Sequence, residues 1–205
     1  MPLLALAGLL LVGPALARDA SAPVATEWRV HPVDGRLPII RQAPEYVLTA
    51  TDGRTVSSAD LFGKIRLETF VYTRCQDTCP LVSAKLARLQ RSLAARGLLG
   101  ERVLLASITL DPAHDSPAAL ARYAAGFGAD PRGWLYLRGT PAETRRLRAA
   151  YGDLARPGQE LAHTDLIFLV DGENRVREIY SARLFDPEQA LGDVVDLAAL
   201  AGGAR

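Results

Sequence analysis

Phe70-Val71-Tyr72-Thr73-Arg74-Cys75-Gln76-Asp77-Thr78-Cys79-Pro80 marks a change of structural period in the chain. Upstream, residues 67–73 are β-branched and aromatic and predict a strand. Downstream, Val82, Leu86, Leu89 and Leu93 recur at i, i+4, i+7 and i+11, the stripe of an amphipathic helix. Pro80 suits the first turn of that helix, where its missing N–H leaves no bond unmade. Cys75 and Cys79 therefore sit at a strand-to-helix junction, and they are the only two cysteines present.

Working outward, residues 45–50 and the turn Thr51-Asp52-Gly53-Arg54 predict a hairpin. Residues 102–109 form a near-continuous apolar run, as expected of a central strand covered on both faces. Ser116-Pro117 opens a second helix through Leu120, Tyr123 and Phe127 that stops around Gly128. Residues 134–137 predict a short strand, and Thr140-Pro141-Ala142-Glu143 opens a third helix ending near Gly152. Residues 166–170 and 176–180, joined at Asp171-Gly172, form a second hairpin, and residues 187–200 a last helix. The order β-β-β-α-β-α-β-α-β-β-α predicts an α/β sheet with helices on both faces.

Of 205 residues, Lys and Arg number 24 against 23 Asp and Glu, a net charge of +1 that supplies no basic stripe for a nucleic acid. Residues 1–17 are apolar and uncharged and end Ala15-Leu16-Ala17, the pattern of a signal peptide. A membrane span needs about 20 apolar residues, so export with cleavage is the first expectation and an uncleaved anchor the second. The protein is then periplasmic, or held at the inner membrane facing the periplasm. Residues 18–42 read as a linker or N-terminal arm, 43–200 as the folded domain, and 201–205 as a flexible tail. Arg145, Arg146 and Arg148 read as a solvated face, and Trp134 and Phe127 as core.

The cysteine spacing limits the chemistry. A structural disulfide closing about five residues contributes only ~2 kcal/mol, against ~4.7 for a 100-residue loop. At a helix N-terminus, unpaired N–H groups and the helix dipole stabilise a thiolate, which is both nucleophile and metal ligand. Soft thiolates select copper or zinc over magnesium and calcium. Disulfide exchange and soft-metal binding are both open. Thioredoxin-type redox motifs have two residues between the cysteines, whereas three stand here. The Thr that peroxidatic sites carry three residues before their cysteine is displaced to Thr73. Three histidines could complete a metal site. His31 lies in the arm, His114 in the loop after the central strand, and His163 just before the strand at 166–170, where the topology brings it near the sulfurs.

These segments together resemble the Sco/SenC copper proteins. Cys75-Gln76-Asp77-Thr78-Cys79-Pro80 is similar to the family's CxxxCP. Thr109-Leu110-Asp111-Pro112-Ala113-His114-Asp115-Ser116-Pro117 is similar to its TxDPxxDTP segment, and Ala162-His163-Thr164 to its His-Ser before the last hairpin. The resemblance runs from about Arg36 to Leu200. It implies a thioredoxin-like fold, a central mixed β-sheet flanked by helices with an N-terminal β-hairpin extension. It also implies one copper ion per chain, held by Cys75, Cys79 and His163, with Asp111 supporting the site from behind. The copper would be destined for the CuA centre in subunit II of cytochrome c oxidase. Gln76 stands where many relatives have Pro, Thr164 replaces Ser, and Ala162 replaces a residue that is often acidic.

Two features favour metal over redox chemistry. Thioredoxin-like reductases place a cis-proline before the strand facing their cysteines, and residues 161–165 contain no proline. Met1 is the sole methionine, which excludes a methionine-cluster copper carrier. The alternative is a thiol–disulfide oxidoreductase in which Cys75, nearer the helix start, attacks and Cys79 resolves.

Overall fold

The computed structural model describes residues 37–152, 161 and 165–202. In chain order the strands and helices are β1 (Arg41–Gln42), β2 (Val47–Ala50), β3 (Thr55–Ser57), a 3-10 turn (Ser58–Leu61), β4 (Ile65–Val71), α1 (Thr78–Ala95), β5 (Val103–Thr109), α2 (Pro117–Gly126), β6 (Trp134–Arg138), α3 (Pro141–Ala150), β7 (Leu166–Val170), β8 (Arg175–Ser181) and α4 (Pro187–Gly202). The strands form one sheet in the order β1-β8-β7-β4-β5-β6-β2-β3.

Every residue of β4 and of β5 is buried, and the two pair in parallel from Ile65↔Val103 to Val71↔Thr109. β6 continues the parallel set, while β7, β8, β1, β2 and β3 all join antiparallel to their neighbours. The crossovers from β4 to β5 and from β5 to β6 step in one direction across the sheet. They leave α1 and α2 on one face with α4, where Leu86, Leu93, Leu120 and Val194 pack over Leu67, Leu105 and Leu169. The return from β6 to β7 carries α3 to the other face, where Leu147 and Tyr151 join Tyr46, Leu48, Phe70 and Phe168. The predicted order of elements is found with one further strand, β1, ahead of it, and the helices lie on both faces as expected.

That second face also encloses charge. Arg66 and Glu68, two apart on β4 and so on one side of it, are 0% and 1% exposed and pair at 2.7 Å. Glu68 accepts from the Tyr46 hydroxyl at 2.9 Å and from the Tyr151 hydroxyl, and Arg66 donates to the Asn174 side-chain oxygen. A buried ion pair stands only when its remaining donors and acceptors are met.

Two boundaries and the burial of one residue differ from the sequence expectation. The last residues of the expected arm, Arg41 and Gln42, already belong to the sheet. Ile40 donates its N–H to the Val176 carbonyl at 2.9 Å, and β1 pairs with β8. At the other terminus α4 runs to Gly202, past the expected start of the tail. Arg148, expected on a solvated face, is buried at 4% exposure, because position 148 follows Leu147 around the inner side of α3.

The two ends of the sheet differ in what they carry. The carboxyl ends of β4 and β5 and the start of β7 share one, with Leu166 opposite Ser181 on β8. At the other end a cleft of about 460 Å³ is lined by Ile39, Gly63, Arg102, Asp171, Leu197 and Leu200. Among the described residues no helix is long and apolar enough to cross a membrane. Residues 1–17 and His31 lie outside the described residues.

Candidate functional site

β4 ends at Val71, and the chain turns immediately: the Cys75 N–H donates to the Tyr72 carbonyl at 3.2 Å. α1 then opens at Thr78, earlier than Pro80, so the proline is its third residue and still in the first turn, where no N–H is needed. Asp77, at the capping position, makes no side-chain cap bond. The sulfur of Cys75 takes that place. It accepts the Cys79 N–H at 3.4 Å.

The two thiols differ in kind. Cys75 is half-buried and Cys79 is only 1% exposed, and both are free. Burial pushes the Cys75 thiol up, but hydrogen bonds from the Cys79 side chain, from the Asp77 and Cys79 N–H groups and from the Tyr72 hydroxyl outweigh it, so its pKa lies below that of an ordinary cysteine. Cys79 goes the other way: burial first, then its bond to Cys75, pushes its thiol far up. The expectation that a helix N-terminus lowers a thiol holds for the residue that takes the orphan N–H groups. It fails for the one inside the helix, because burial wins there.

Around the pair the loops are pinned by buried carboxylates. Asp115, 0% exposed, accepts from the Thr73 N–H at 3.2 Å, from the Thr73 hydroxyl and from the Thr109 hydroxyl, joining the ends of β4 and β5. Asp111, 7% exposed, accepts from Arg74 Nη2 at 2.6 Å and from His114 Nδ1 at 2.7 Å. Burial raises the Asp111 carboxyl, yet these two partners hold it below the usual carboxylate range. Asp111 thus reaches the cysteine loop through Arg74, the residue before Cys75. His114 is an exposed side chain bonded to Asp111 and stands clear of the sulfurs' own hydrogen bonds.

The approach to β7 closes the far side. Asp165 holds φ at 51°, its carbonyl accepts the Ala182 N–H at 2.7 Å, and its carboxylate acts electrostatically on Tyr72 and Cys79. His163 lies outside the described residues. Among those that are described, no three His, Cys, Asp or Glu side chains group closely enough to hold a metal ion. The rim is completed by the β8–α4 connection, where Lys85 Nζ donates to the Ala182 and Arg183 carbonyls at 3.2 and 2.8 Å.

A half-buried sulfur with a lowered pKa beside a sheltered one forms a soft donor pair that can chelate a thiophilic ion or interconvert with a disulfide. Sequence reasoning singled out both cysteines and Asp111 as candidates. It assigned no part to Arg74 or Asp115, whose contacts with Asp111 and Thr73 form only once the loops after β4 and β5 meet.

A family model described as SCO1/SenC matches residues 39–199. The chain belongs to the SCO1/SenC family. A SCO1 protein homolog of Bacillus subtilis is 26% identical over 149 residues, covering 70% of this chain and 76% of that one. A SCO1/SenC family lipoprotein of Bacillus anthracis superposes with a TM-score of 0.72 at 26% identity, over 80% of this chain and 98% of that one. ScoI of Bradyrhizobium japonicum, solved with copper bound, does so with a TM-score of 0.65 at 28% identity, over 76% of this chain and 99% of that one. The thioredoxin-like architecture expected from the resemblance is therefore the one this SCO1/SenC chain adopts.

Proposed function

We propose that this SCO1/SenC protein is an exported copper metallochaperone. It holds one copper ion per chain through Cys75, Cys79 and His163 and delivers it to the CuA centre in subunit II of cytochrome c oxidase. The observation that carries the reading is the placing of Cys75 and Cys79 at one strand-to-helix turn, the half-buried Cys75 sulfur accepting the N–H of the buried Cys79. The donor set fits copper, since thiolate and imidazole are the soft and borderline ligands that select it. The copper-bound relative from Bradyrhizobium japonicum supports the same cargo. For His163 the support is topological. Two residues of chain span at most about 7 Å, and Asp165 already acts electrostatically on Cys79.

Copper is cargo here, and the protein's task is to hold it without releasing the bare ion. Cys75, the more accessible and more easily ionised sulfur, is the ligand that a recipient's donors displace first. Cys79, sheltered beneath it, lets go last. Residues 1–17 direct export to the periplasm or anchor the protein at the inner membrane.

The test is copper stoichiometry and affinity on reduced protein, beside Cys75→Ser and His163→Ala. One tightly held copper per chain, lost in Cys75→Ser and weakened at least tenfold in His163→Ala with both thiols still titratable, is the expected outcome. Affinity indifferent to His163 would overturn the three-ligand site.

A second reading is favoured by one observation, the opposed shifts of the two thiols. A low-pKa, accessible Cys75 over a buried Cys79 is the division between attacking and resolving sulfurs. Thiol–disulfide exchange on cysteines of the same oxidase subunit would show metal-free turnover of a disulfide substrate, abolished in Cys75→Ser. Absence of turnover at every redox poise removes it.

A further inference from the structure

At the end of the sheet away from the thiols, where β4, β5 and β6 begin, two clefts open on either side of one turn, Phe62-Gly63-Lys64. The first, about 460 Å³, has Gly63 in its wall together with Ile39, Arg102 and Leu200. The second, about 710 Å³, has Leu61 and Lys64 in its wall together with Arg54 and Arg132. The turn between them is pinned by the Gly63 N–H, which donates to the Gly172 carbonyl at 2.8 Å. Phe62 is left on the ridge at 51% exposure, although Leu61 beside it is buried. Ile39 and Leu200, across the first cleft, are exposed as well. Each cleft also holds a cation that answers only to backbone: Lys64 Nζ donates to the Gly100 carbonyl, and Arg102 Nη2 to the Ala198 carbonyl at 2.6 Å. Neither makes an ion pair among the described residues. Most acids at this end are taken, Asp52 by Arg54, Asp130 by Arg132, Glu173 by Arg175 and Asp60 by the Ser57 N–H. Glu101, exposed beside Arg102, offsets part of the charge.

We propose that this end of the molecule is a membrane-facing surface: Phe62, with Ile39 and Leu200, enters the headgroup layer of an anionic bilayer, and Lys64 and Arg102 meet the lipid phosphates. Apolar side chains set among cations are what binds a protein in the plane of a membrane interface, and anionic headgroups attract cations held close to them. The path of the chain favours the same occupant. Arg177, in the wall of the first cleft, donates from Nε to the Leu37 and Pro38 carbonyls at 3.1 Å, so the chain enters the fold beside that cleft. Upstream of this entry, residues 1–17 are apolar and uncharged. A tether makes the surface contact intramolecular, and a weak contact then suffices. The inference rests on the reading of residues 1–17 as an anchor and is independent of copper. Its consequence is an orientation, with the cysteine end of the sheet turned to the aqueous side where a recipient arrives.

The test uses the full chain with vesicles of phosphatidylcholine and phosphatidylglycerol whose acyl chains carry bromine, a short-range quencher of tryptophan. Phe62→Trp puts a reporter on the turn. Leu184→Trp, on the β8–α4 connection near the thiols and 85% exposed, is the control. Both positions are exposed, so neither change disturbs the core. Emission above the parent baseline is expected to fall by about half in Phe62→Trp, because an interfacial side chain reaches the boundary with the acyl chains, and to stay unchanged in Leu184→Trp. Lys64→Gln with Arg102→Gln, added to Phe62→Trp, keeps a donor for each carbonyl, removes the charge and should give back most of the lost emission. Equal quenching in the two single variants overturns the surface, as does an unquenched Phe62→Trp on vesicles that carry the protein. Quenching that survives the loss of both cations removes Lys64 and Arg102 from it. An emission change that follows protein concentration rather than lipid assigns the face to a second copy and overturns the proposal. A parent chain that stays off the vesicles altogether refutes the anchor, and this surface with it; a parent that floats with them beside an unquenched Phe62→Trp refutes the surface alone.

Discussion

Asp171 shows how one side chain can set an acid limit. It accepts the Glu173 and Arg175 N–H groups at 3.0 and 2.9 Å, Arg175 Nε at 2.8 Å and Arg177 Nη1 at 2.9 Å. Burial alone would raise its carboxyl, but the hydrogen bonds from Arg175 and Arg177 hold it below the ordinary value. A carboxylate lowered in the folded state contributes its full stability above the unfolded pKa of about 4 and loses it as pH falls through the lower folded value. Asp171→Asn should cost about 1.5–3 kcal/mol at neutral pH, the worth of hydrogen bonds to a charged group. In urea titrations the gap between parent and variant closes as pH drops below the carboxylate range; a gap independent of pH would refute the assignment. At this scale the sequence was readable where chemistry is rare. Two thiols at a strand-to-helix junction announce themselves. Asp171-Gly172 was legible as a turn but not as an ionic anchor, because which arginines reach it depends on the register of β8.

Helix starts divide into those that follow sequence rules and one that does not. Thr140 caps α3 by accepting the Glu143 N–H at 3.3 Å, while Glu143 accepts the Thr140 N–H at 2.7 Å. This is the reciprocal box that Thr-Pro-Ala-Glu predicts. Thr140→Ala is expected to cost about 0.5–2 kcal/mol. Asp77, although it is the right residue type at the start of α1, makes no cap bond, and Asp77→Ala should stay within about 0.5 kcal/mol of the parent. Chemical denaturation of the two variants side by side checks the contrast; equal losses would mean that Asp77 caps α1 after all. The start of α1 was expected too late because cysteine sulfur is not among the capping groups by which helix starts are recognised. β1 escaped notice because two residues carry no period, and its pairing is with a strand more than 130 positions away in sequence.

The sheet as a whole was legible because its central strands are apolar runs and its helices carry a 3.6-residue stripe, two patterns that do not mimic each other. What no pattern disclosed is the ionic centre beneath α3. Arg66 and Glu68 look, in sequence, like the solvent-facing positions of a half-exposed strand, yet they are 0% and 1% exposed and tied to Tyr46, Tyr151 and Asn174. Glu68→Ala strands a buried guanidinium and should cost about 3–5 kcal/mol in urea unfolding. Replacing Arg66 by Met in the same molecule should recover part of that loss. If the double variant is as unstable as the sum of the two single ones, the pair does not act as a unit. The assembled sheet also fixes where this protein can be held. Ile39, at the way in to β1, and Leu200, on the last turns of α4, line one cleft at the end remote from the thiols. A fluorescent reporter or a solid support joined after α4 therefore grips the molecule by its base and leaves the end of the sheet that carries Cys75 unobstructed. Transfer between an immobilised donor and a free acceptor can then be watched without the handle standing in the way.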